Sequence, residues 1–423
     1  MKTKILNFAK KHHFVLLLMR KVIIFINRLK YLPHYMFERV DGKTVLFEAY
    51  MGRQYSCSPK AIYLAMLSDD TFKDYSFVWA FKNPEEFEFL KKNKNTILIK
   101  SGGKEYFKYF ARSKFWIVNS RINEAIMKKS SQVYVQCWHG TPLKKLGYDI
   151  DAKNGNAMNS VKDIRYKHRV DSKRYTYMVS PSHFCSEKFA SAFNLQNTDI
   201  LKEIGYPRND YLYNYTETDV QRIKAELDIP ADKKVILYAP TWRDNQHDSA
   251  KGYTYTPQLD FDLLKRAVGD DYVVLFRSHY FIANYIDLEK YRGFVYNVST
   301  YNDIAELYII SDLLVTDYSS VFFDFANLKR PMLFYMYDFD EYKNEMRDFY
   351  IDVSELPGPI VKKESDLIEE INNIDTYNIK YGEKYIDFYN KYNYLDDGKA
   401  ADRMLEILKN NISVSYTQLT LPT

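Results

Sequence analysis

The sequence predicts an α/β protein of two domains, built on parallel sheets with helices packed on both faces. Its 423 residues exceed what one ordinary core encloses, at roughly 100–200 residues per domain, and 46% hydrophobic content is ample for two cores. Strand-like and helix-like segments alternate along most of the chain, the βαβα pattern of a parallel sheet. The third observation concerns four short apolar runs that end directly in polar residues suited to phosphate chemistry. They are Val133–Trp138 before His139-Gly140-Thr141-Pro142, Val235–Ala239 before Pro240-Thr241-Trp242-Arg243, Tyr272–Phe276 before Arg277-Ser278-His279, and Leu313–Val315 before Thr316-Asp317-Tyr318-Ser319-Ser320. Ligands of open parallel sheets bind outside the carboxyl ends of the strands, so the four junctions predict one shared cleft.

Taken in order, the elements begin with a segment that stands apart. Over residues 1–36 the bases Lys2, Lys4, Lys10, Lys11, Arg20, Lys21, Arg28 and Lys30 surround the apolar blocks Phe14–Met19 and Val22–Ile26, and no acid precedes Glu38. Arg20-Lys21 interrupts the apolar run, leaving nothing near the ~20 residues that span a bilayer. The broken apolar block also fits a secretory signal poorly. An amphipathic helix on an anionic membrane surface accounts for both the charge and the apolar blocks; the plainer alternative is a helix packed on the body with a solvated basic face.

A first series of strands follows in residues 37–210: Thr44–Ala49, Phe77–Phe81, Thr96–Ile99, Phe115–Asn119, Val133–Trp138 and Tyr177–Ser180, with helical stretches such as Pro59–Leu67 and Gly103–Ala111 between them. The join falls between Gly205-Tyr206-Pro207-Arg208-Asn209-Asp210 and the charged helix Glu217–Leu227. A second series, in residues 211–412, holds Val235–Ala239, Tyr272–Phe276, Phe294–Val298, Leu313–Val315 and Met332–Met336. After the helix Ala400–Leu408 the tail 413–423 has no charge, no periodicity and no cap, and is expected to be disordered and foreign to the fold.

Composition removes several function classes. A balance of 60 Lys+Arg against 55 Asp+Glu gives +5, too mild to argue for nucleic acid. The 39 Tyr and 27 Phe against 14 Gly are read as compositional bias, with some tyrosines lining a polar cleft as the lesser alternative. Cys57, Cys137 and Cys185 are odd in number and lack a C-x-x-C spacing, which supports neither a disulfide framework nor a zinc site and implies a reducing compartment. Cys137, inside an apolar strand, reads as a buried structural thiol. No GxGxxG fingerprint is present, so a nicotinamide enzyme is not supported.

The junctions carry the chemistry. Ser319-Ser320 opens the apolar helix Val321–Asn327, where free N–H groups and hydroxyls would suit a diphosphate, although a serine there is equally an ordinary helix cap. His139 follows a strand end, with Gly140 permitting close backbone approach and Pro142 suited to a first helical turn. An isolated histidine of this kind is usually structural; within the four-part pattern it becomes a candidate base or phosphate contact. Arg277 and His279, two residues apart on an extended strand end, project to one face and suit a phosphoryl group in transfer. Arg243 could fork onto a phosphate, or form a surface ion pair. Three D-x-D triplets, Asp149-Ile150-Asp151, Asp260-Phe261-Asp262 and Asp338-Phe339-Asp340, follow no strong strand. We therefore expect no protein-held metal and no cofactor, with Mg²⁺ arriving only on a diphosphate substrate.

His139-Gly140-Thr141-Pro142-Leu143-Lys144, Gly205-Tyr206-Pro207-Arg208-Asn209-Asp210, Ala239-Pro240-Thr241-Trp242-Arg243, Arg277-Ser278-His279 and Thr316-Asp317-Tyr318-Ser319-Ser320, in this order over residues 40 to 395, resemble the signature of the CDP-glycerol glycerophosphotransferases, the teichoic-acid primases and polymerases of Gram-positive bacteria. The resemblance implies a GT-B-type fold, two Rossmann-like domains facing a central cleft, held peripherally at the cytoplasmic face of the membrane by the basic segment. It implies attack of a hydroxyl of a lipid-linked acceptor on the β-phosphate of CDP-glycerol or CDP-ribitol, with release of CMP. By motif position His139 would be the base or an acceptor-side contact, and His279 with Arg277 would stabilise the transferring group. Ser319 and Ser320, with Asp317, Arg243 and Thr241, would hold the CDP-alcohol diphosphate. Gly140, Thr141, Pro207, Arg208 and Asn209 would lie on the acceptor side or at the hinge. The alternative is a GT-B glycosyltransferase using a nucleotide sugar, which would release a nucleoside diphosphate in place of CMP. A homo-oligomer is compatible with either.

Overall fold

The computed structural model describes residues 13–150, 160–241, 247–248, 252–253, 258–278, 288–339 and 349–417. Two parallel sheets organise them. The first holds β1 (Asp41–Glu48), β2 (Ser76–Phe81), β3 (Thr96–Lys100), β4 (Ser113–Val118), β5 (Val133–Gln136), β6 (Tyr177–Ser180) and β7 (Leu201–Glu203), in the order β3-β2-β1-β4-β5-β6-β7. The second half holds β8 (Lys234–Ala239), the two-residue antiparallel pair β9 (His247–Asp248) and β10 (Gly252–Tyr253), then β11 (Tyr272–Phe276), β12 (Val295–Asn297), β13 (Leu313–Thr316), β14 (Met332–Tyr335) and β15 (Ile360–Val361). Its sheet runs β12-β11-β8-β13-β14-β15. This is the GT-B-type, doubly wound α/β arrangement that the sequence predicts.

Helices cover both faces of each sheet, so the strands read as unbroken apolar runs. β11, Tyr-Val-Val-Leu-Phe, is buried at every position. In each sheet the strand order reverses beside the first strand, between β1 and β4 and between β8 and β13, and the loops at those points open a crevice.

The eleven predicted strands all appear, within three residues of their expected bounds, and the sequence reading lacked the edge strands β7 and β15 and the short pair β9 and β10. β7 and β15, of three and two residues, are too short to show a period. One correction bears on the site. β5 stops at Gln136 and not at Trp138, because the Gln136 side-chain oxygen accepts the Trp138 N–H at 2.9 Å and Trp138 turns into the left-handed region at φ +49°. Cys137 therefore lies just beyond the strand, yet it is fully buried, with its N–H on the Val118 carbonyl at 2.7 Å.

At the N-terminus one helix spans His13–Phe37 and lies along the helix Lys104–Arg112. Tyr31 anchors it, buried and donating to the Met127 carbonyl at 2.6 Å. The opposite face leaves Leu18, Val22, Phe25, Leu29 and Met36 exposed, at helical spacing. No described helix is long and apolar enough to cross a membrane.

The C-terminus departs from expectation. The last helix, Ala400–Thr417, does not stay with the second sheet; Met404, Leu405 and Leu408 enter the core of the first, against the helix Cys57–Ser68. Asp210 fixes its start, accepting the N–H groups of Ala400 and Ala401 at 2.9 and 2.7 Å. The helix also runs five residues into the segment expected to be disordered, since adding a residue to a formed helix is easy once nucleation is complete.

Candidate active site between the two sheets

A cavity of about 800 Å³ lies between the two halves and is lined by residues of both, among them Tyr50, His139, Arg208, Arg277, Ser319 and Ser320. His139 comes from the turn after β5. Its ring stacks on Trp138 with centroids 4.3 Å apart, and Nδ1 sits 2.7 Å from the Asn119 carbonyl. A carbonyl only accepts, so Nδ1 carries the proton and Nε2 keeps its lone pair. Burial, followed by the nearby charges of Arg208 and Arg121, pulls the imidazole down from 6.5 to about 4 against the raising effect of the Asn119 carbonyl. The ring is neutral at physiological pH and oriented to accept.

Arg208, after β7, is one of the side chains that join the halves, as is Lys60, which pairs with Asp303 at 2.7 Å. Its Nη1 donates to the His139 carbonyl at 2.5 Å, and its Nη2 binds both carboxylate oxygens of Asp324, one at 2.6 Å, on the helix Val321–Phe325 of the second half. Burial works against the charge, but the Asp324 carboxylate raises the guanidinium well above its usual value. Beside it a Cβ on Gly140 would stand 3.2 Å from Ser320 Oγ, so glycine lets the histidine loop approach the serines. Asn209 and Tyr206 complete the junction through Asp396, which accepts from Asn209 Nδ2 and from the Tyr206 N–H, both at 2.7 Å.

Arg277, after β11, lines the same cavity with part of its guanidinium committed. Nη1 donates to the carbonyls of Val298 and Tyr301 at 2.9 and 3.0 Å, and burial lowers its pKa. It thereby fixes the loop after β12, whose Ser299, Thr300 and Asn302 also face the cavity. Ser319 and Ser320 are half-buried at the cavity wall. Ser320 stands at the N-cap of Val321–Phe325 but makes no side-chain cap bond.

Other candidates are placed elsewhere. Asp317 is buried and accepts the N–H groups of Thr241 and Tyr318 at 2.7 and 2.6 Å, clasping the ends of β8 and β13 without lining the cavity. Thr241 marks that clasp. Thr141 is buried behind the histidine loop, 3.7 Å from Cys185 Sγ, and Pro207 is buried in the turn before Arg208. Arg243 and His279 lie outside the described residues. Of the D-x-D residues, Asp260 caps the helix Phe261–Val268, Asp262 binds Lys290 and Tyr291, Asp149 accepts from Ser191 and Tyr350, and Asp338 accepts from Tyr318. Asp151 and Asp340 lie outside the described residues, among which no three His, Cys, Asp or Glu side chains gather as a metal site would require.

Sequence reasoning missed Asn119, the orienting carbonyl, and the Ser299–Asn302 loop. Neither carries a residue-type signal: a backbone oxygen is available at every position, and the loop is recruited by Arg277 across the sheet. The Arg208–Asp324 pair, 116 positions apart, was invisible for the same reason.

The profile of the CDP-glycerol:poly(glycerophosphate) glycerophosphotransferases matches residues 31–410. The chain is 40% identical over 383 residues to the teichoic acid poly(glycerol phosphate) polymerase of Staphylococcus epidermidis, covering 89% of this chain and 52% of that one. It thus spans about half the length of that relative. It is 39% identical over 374 residues to the protein of the same name from Bacillus spizizenii, covering 87% of this chain and 92% of that one. Among solved structures, the wall teichoic acid polymerase TagF, as a histidine variant soaked with CDPG, superposes with a TM-score of 0.83 at 35% identity, over 98% of this chain and all of that one. With a profile match over residues 31–410 and relatives 39–40% identical along most of its length, the chain belongs to the CDP-glycerol:poly(glycerophosphate) glycerophosphotransferase family.

Proposed function

We propose that this protein transfers glycerol phosphate from CDP-glycerol to a hydroxyl of a lipid-linked wall-polymer acceptor, releasing CMP. The observation that carries the reading is the neutral imidazole of His139, with Nδ1 held by the Asn119 carbonyl and Nε2 left to accept at a cavity between two Rossmann-like halves. Both curated relatives described above carry glycerol phosphate in their names, which favours glycerol over ribitol.

In this mechanism the acceptor hydroxyl gives its proton to His139 Nε2 as its oxygen attacks the β-phosphorus of CDP-glycerol. The bond from that phosphorus to the bridging oxygen breaks, and CMP leaves with the electron pair. A phosphodiester remains on the acceptor. Transfer of this kind asks a protein mainly for position and charge stabilisation. Arg277 and the hydroxyls of Ser319 and Ser320 provide donors at the cavity wall for the diphosphate, and Arg208 keeps the histidine loop seated against them. A base with a pKa near 4 is weak, but two of the causes that lower it are the cations Arg208 and Arg121. An anionic donor in the cavity offsets the charge of Arg208, which lines it, and raises the imidazole toward the working pH.

The helix His13–Phe37 supports a peripheral membrane role. It combines the exposed apolar row with Arg20, Lys21, Arg28 and Lys30, and Tyr31 ties it to the body of the first half. The function is tested by CMP release from purified protein given CDP-glycerol, CDP-ribitol or a panel of UDP-sugars, with a synthetic lipid-linked acceptor. CMP from CDP-glycerol alone is the expected result. CMP from CDP-ribitol alone reassigns the donor, and UDP from a sugar donor with no CMP replaces the reading by glycosyl transfer.

A further inference from the structure

His139 belongs to the walls of two cavities. Besides the one between the sheets it lines a second, of about 690 Å³, that runs through the first half from the histidine to the N-terminal helix, where Ile23, Ile24 and Asn27 line it. A transferase that moves a group between two large substrates needs two approaches to one reacting centre, and here the two spaces share a single imidazole.

The second cavity has a polar inner end and a basic wall. Glu48, buried and hydrogen-bonded by the Tyr106 hydroxyl at 3.0 Å, and Ser120 line it near the strand ends, partners suited to polyol hydroxyls. Arg121 and Lys167 also line it. Burial, then the charges of Arg20 and Arg121, lowers the Lys167 ammonium against the raising effect of Glu124 and Asp163, so cations from three separate elements gather here beside two carboxylates: Arg20 from the N-terminal helix, Arg121 from the loop after β4 and Lys167 from the helix Val161–Ser172.

Among the described residues Arg121 has no carboxylate in hydrogen-bond contact, Asp171 acting on it only through space. Its Nη1 is 3.2 Å from His168 Nδ1, but that nitrogen is also 2.8 Å from the Ile164 carbonyl, which can only accept, so it bears a proton and has no lone pair for the guanidinium. Arg174, by contrast, pairs with Asp171 and donates to the carbonyls of Asn123 and Ile126. Crowded, partly desolvated cations of this kind lose mutual repulsion when an anion enters, and the anion gains charge-assisted hydrogen bonds.

We propose that the second cavity is the acceptor site, in which a phosphodiester of a polyol phosphate chain end lies against Arg121 and Lys167 while the terminal hydroxyl reaches His139 Nε2. The inference rests on the phosphotransfer reading above and adds the place and chemical class of the acceptor. It also explains why the N-terminal helix forms a cavity wall: a chain end tethered to a membrane enters from the side on which that helix lies.

The test uses the full chain with two soluble acceptors, a short glycerol phosphate oligomer and a phosphate-free polyol glycoside, and the variants Arg121→Gln, Lys167→Gln and Arg121→Lys. For the oligomer, Arg121→Gln and Lys167→Gln are expected to raise the acceptor KM about tenfold or more, while the Kd for CDP-glycerol measured by calorimetry stays within about twofold. Arg121→Lys, which keeps the charge, is expected to restore most of the loss. With the phosphate-free acceptor the loss on either glutamine substitution should be several-fold smaller than with the oligomer. An unchanged acceptor KM in both variants, an equal loss with the phosphate-free acceptor, or a weakened donor Kd in place of a raised acceptor KM would overturn the acceptor site while leaving the phosphotransfer reading intact. A wild-type protein that releases no CMP with either acceptor would overturn that reading and this inference with it.

Discussion

Replacing Arg208 by methionine tests whether the two halves are joined as the structure implies. The guanidinium and the Asp324 carboxylate have side chains only 10% and 6% exposed, so the methionine side chain would fill similar space and leave a buried carboxylate without its counter-charge. Breaking one side of such a pair costs about 3–5 kcal/mol, and the lost bond to the His139 carbonyl adds to it. The double variant Arg208→Met, Asp324→Leu removes both charges and is expected to recover most of this, coming within about 1–2 kcal/mol of the wild type. Guanidinium denaturation followed by two probes reads the outcome. Three of the four tryptophans, Trp79, Trp116 and Trp138, lie in the first half, so in a Trp242→Phe background fluorescence reports that half, and far-UV circular dichroism reports both. Activity separates the two duties of Arg208: the double variant should regain stability but not turnover, because the histidine loop has lost its donor. A single variant that loses less than ~1 kcal/mol, or a double variant as unstable as the two single losses together, would refute the reasoning.

Further perturbations have defined outcomes. His139→Ala should lower turnover by roughly 10²–10⁴ with the denaturation midpoint little changed, and an unaltered rate removes the residue from the mechanism. The pH profile of kcat/KM, which reports the free enzyme, should keep its rate down toward pH 4–5, because the native imidazole titrates near 4. The acid limb of kcat should fall at higher pH, since the bound diphosphate raises that value, and coincident limbs would show that His139 does not sense the substrate. The same shift has a stability consequence: the native pKa lies below the unfolded one, so stability is complete above about 6.5 and falls by order 1–3 kcal/mol as pH drops toward 4. Gly205→Ala should destabilise by at least ~1–2 kcal/mol, because φ is +79° and a Cβ would meet the Leu395 carbonyl at 2.6 Å; a neutral midpoint in thermal unfolding would contradict it. Removing the segment through Lys30 should weaken binding to vesicles of anionic lipid, more at low salt than at high, and retained binding would place the membrane contact elsewhere.

Strand positions were legible because a doubly covered parallel strand must be apolar throughout, and runs such as Val235–Ala239 and Tyr272–Phe276 have no other reading at that length. Their carboxyl ends were legible for the same reason: polar residues return where burial stops. What could not be read was direction. Asp317 and Ser319 stand two residues apart in one motif, yet the first turns inward to clasp Thr241 and Tyr318 while the second faces the cavity. Motif position does not distinguish an acid that serves backbone N–H groups from one that serves a ligand. The last helix shows the same limit at larger scale, since Met404, Leu405 and Leu408 mark an apolar face but not the sheet that it covers.

The position of His139 relates these features to one another. Its carbonyl receives Arg208, which is paired with Asp324 in the other half; its Nδ1 is held by the Asn119 carbonyl just after β4; its ring rests on Trp138; and it lines both cavities. A residue fixed from so many sides has little orientational freedom left to lose on binding, which is the condition under which positioning accelerates transfer. Arg208 thus takes part both in the contact between the halves and in the seating of the histidine loop. A substrate that engages Ser319 and Ser320 in the second half acts on the same strut that seats the histidine of the first. Donor binding would then tighten the base, and the acceptor hydroxyl would meet an oriented Nε2 only once the donor is in place. Ordered kinetics with CDP-glycerol binding first would be the solution signature of that coupling, and Arg208→Met, which cuts the strut, should convert it to random order.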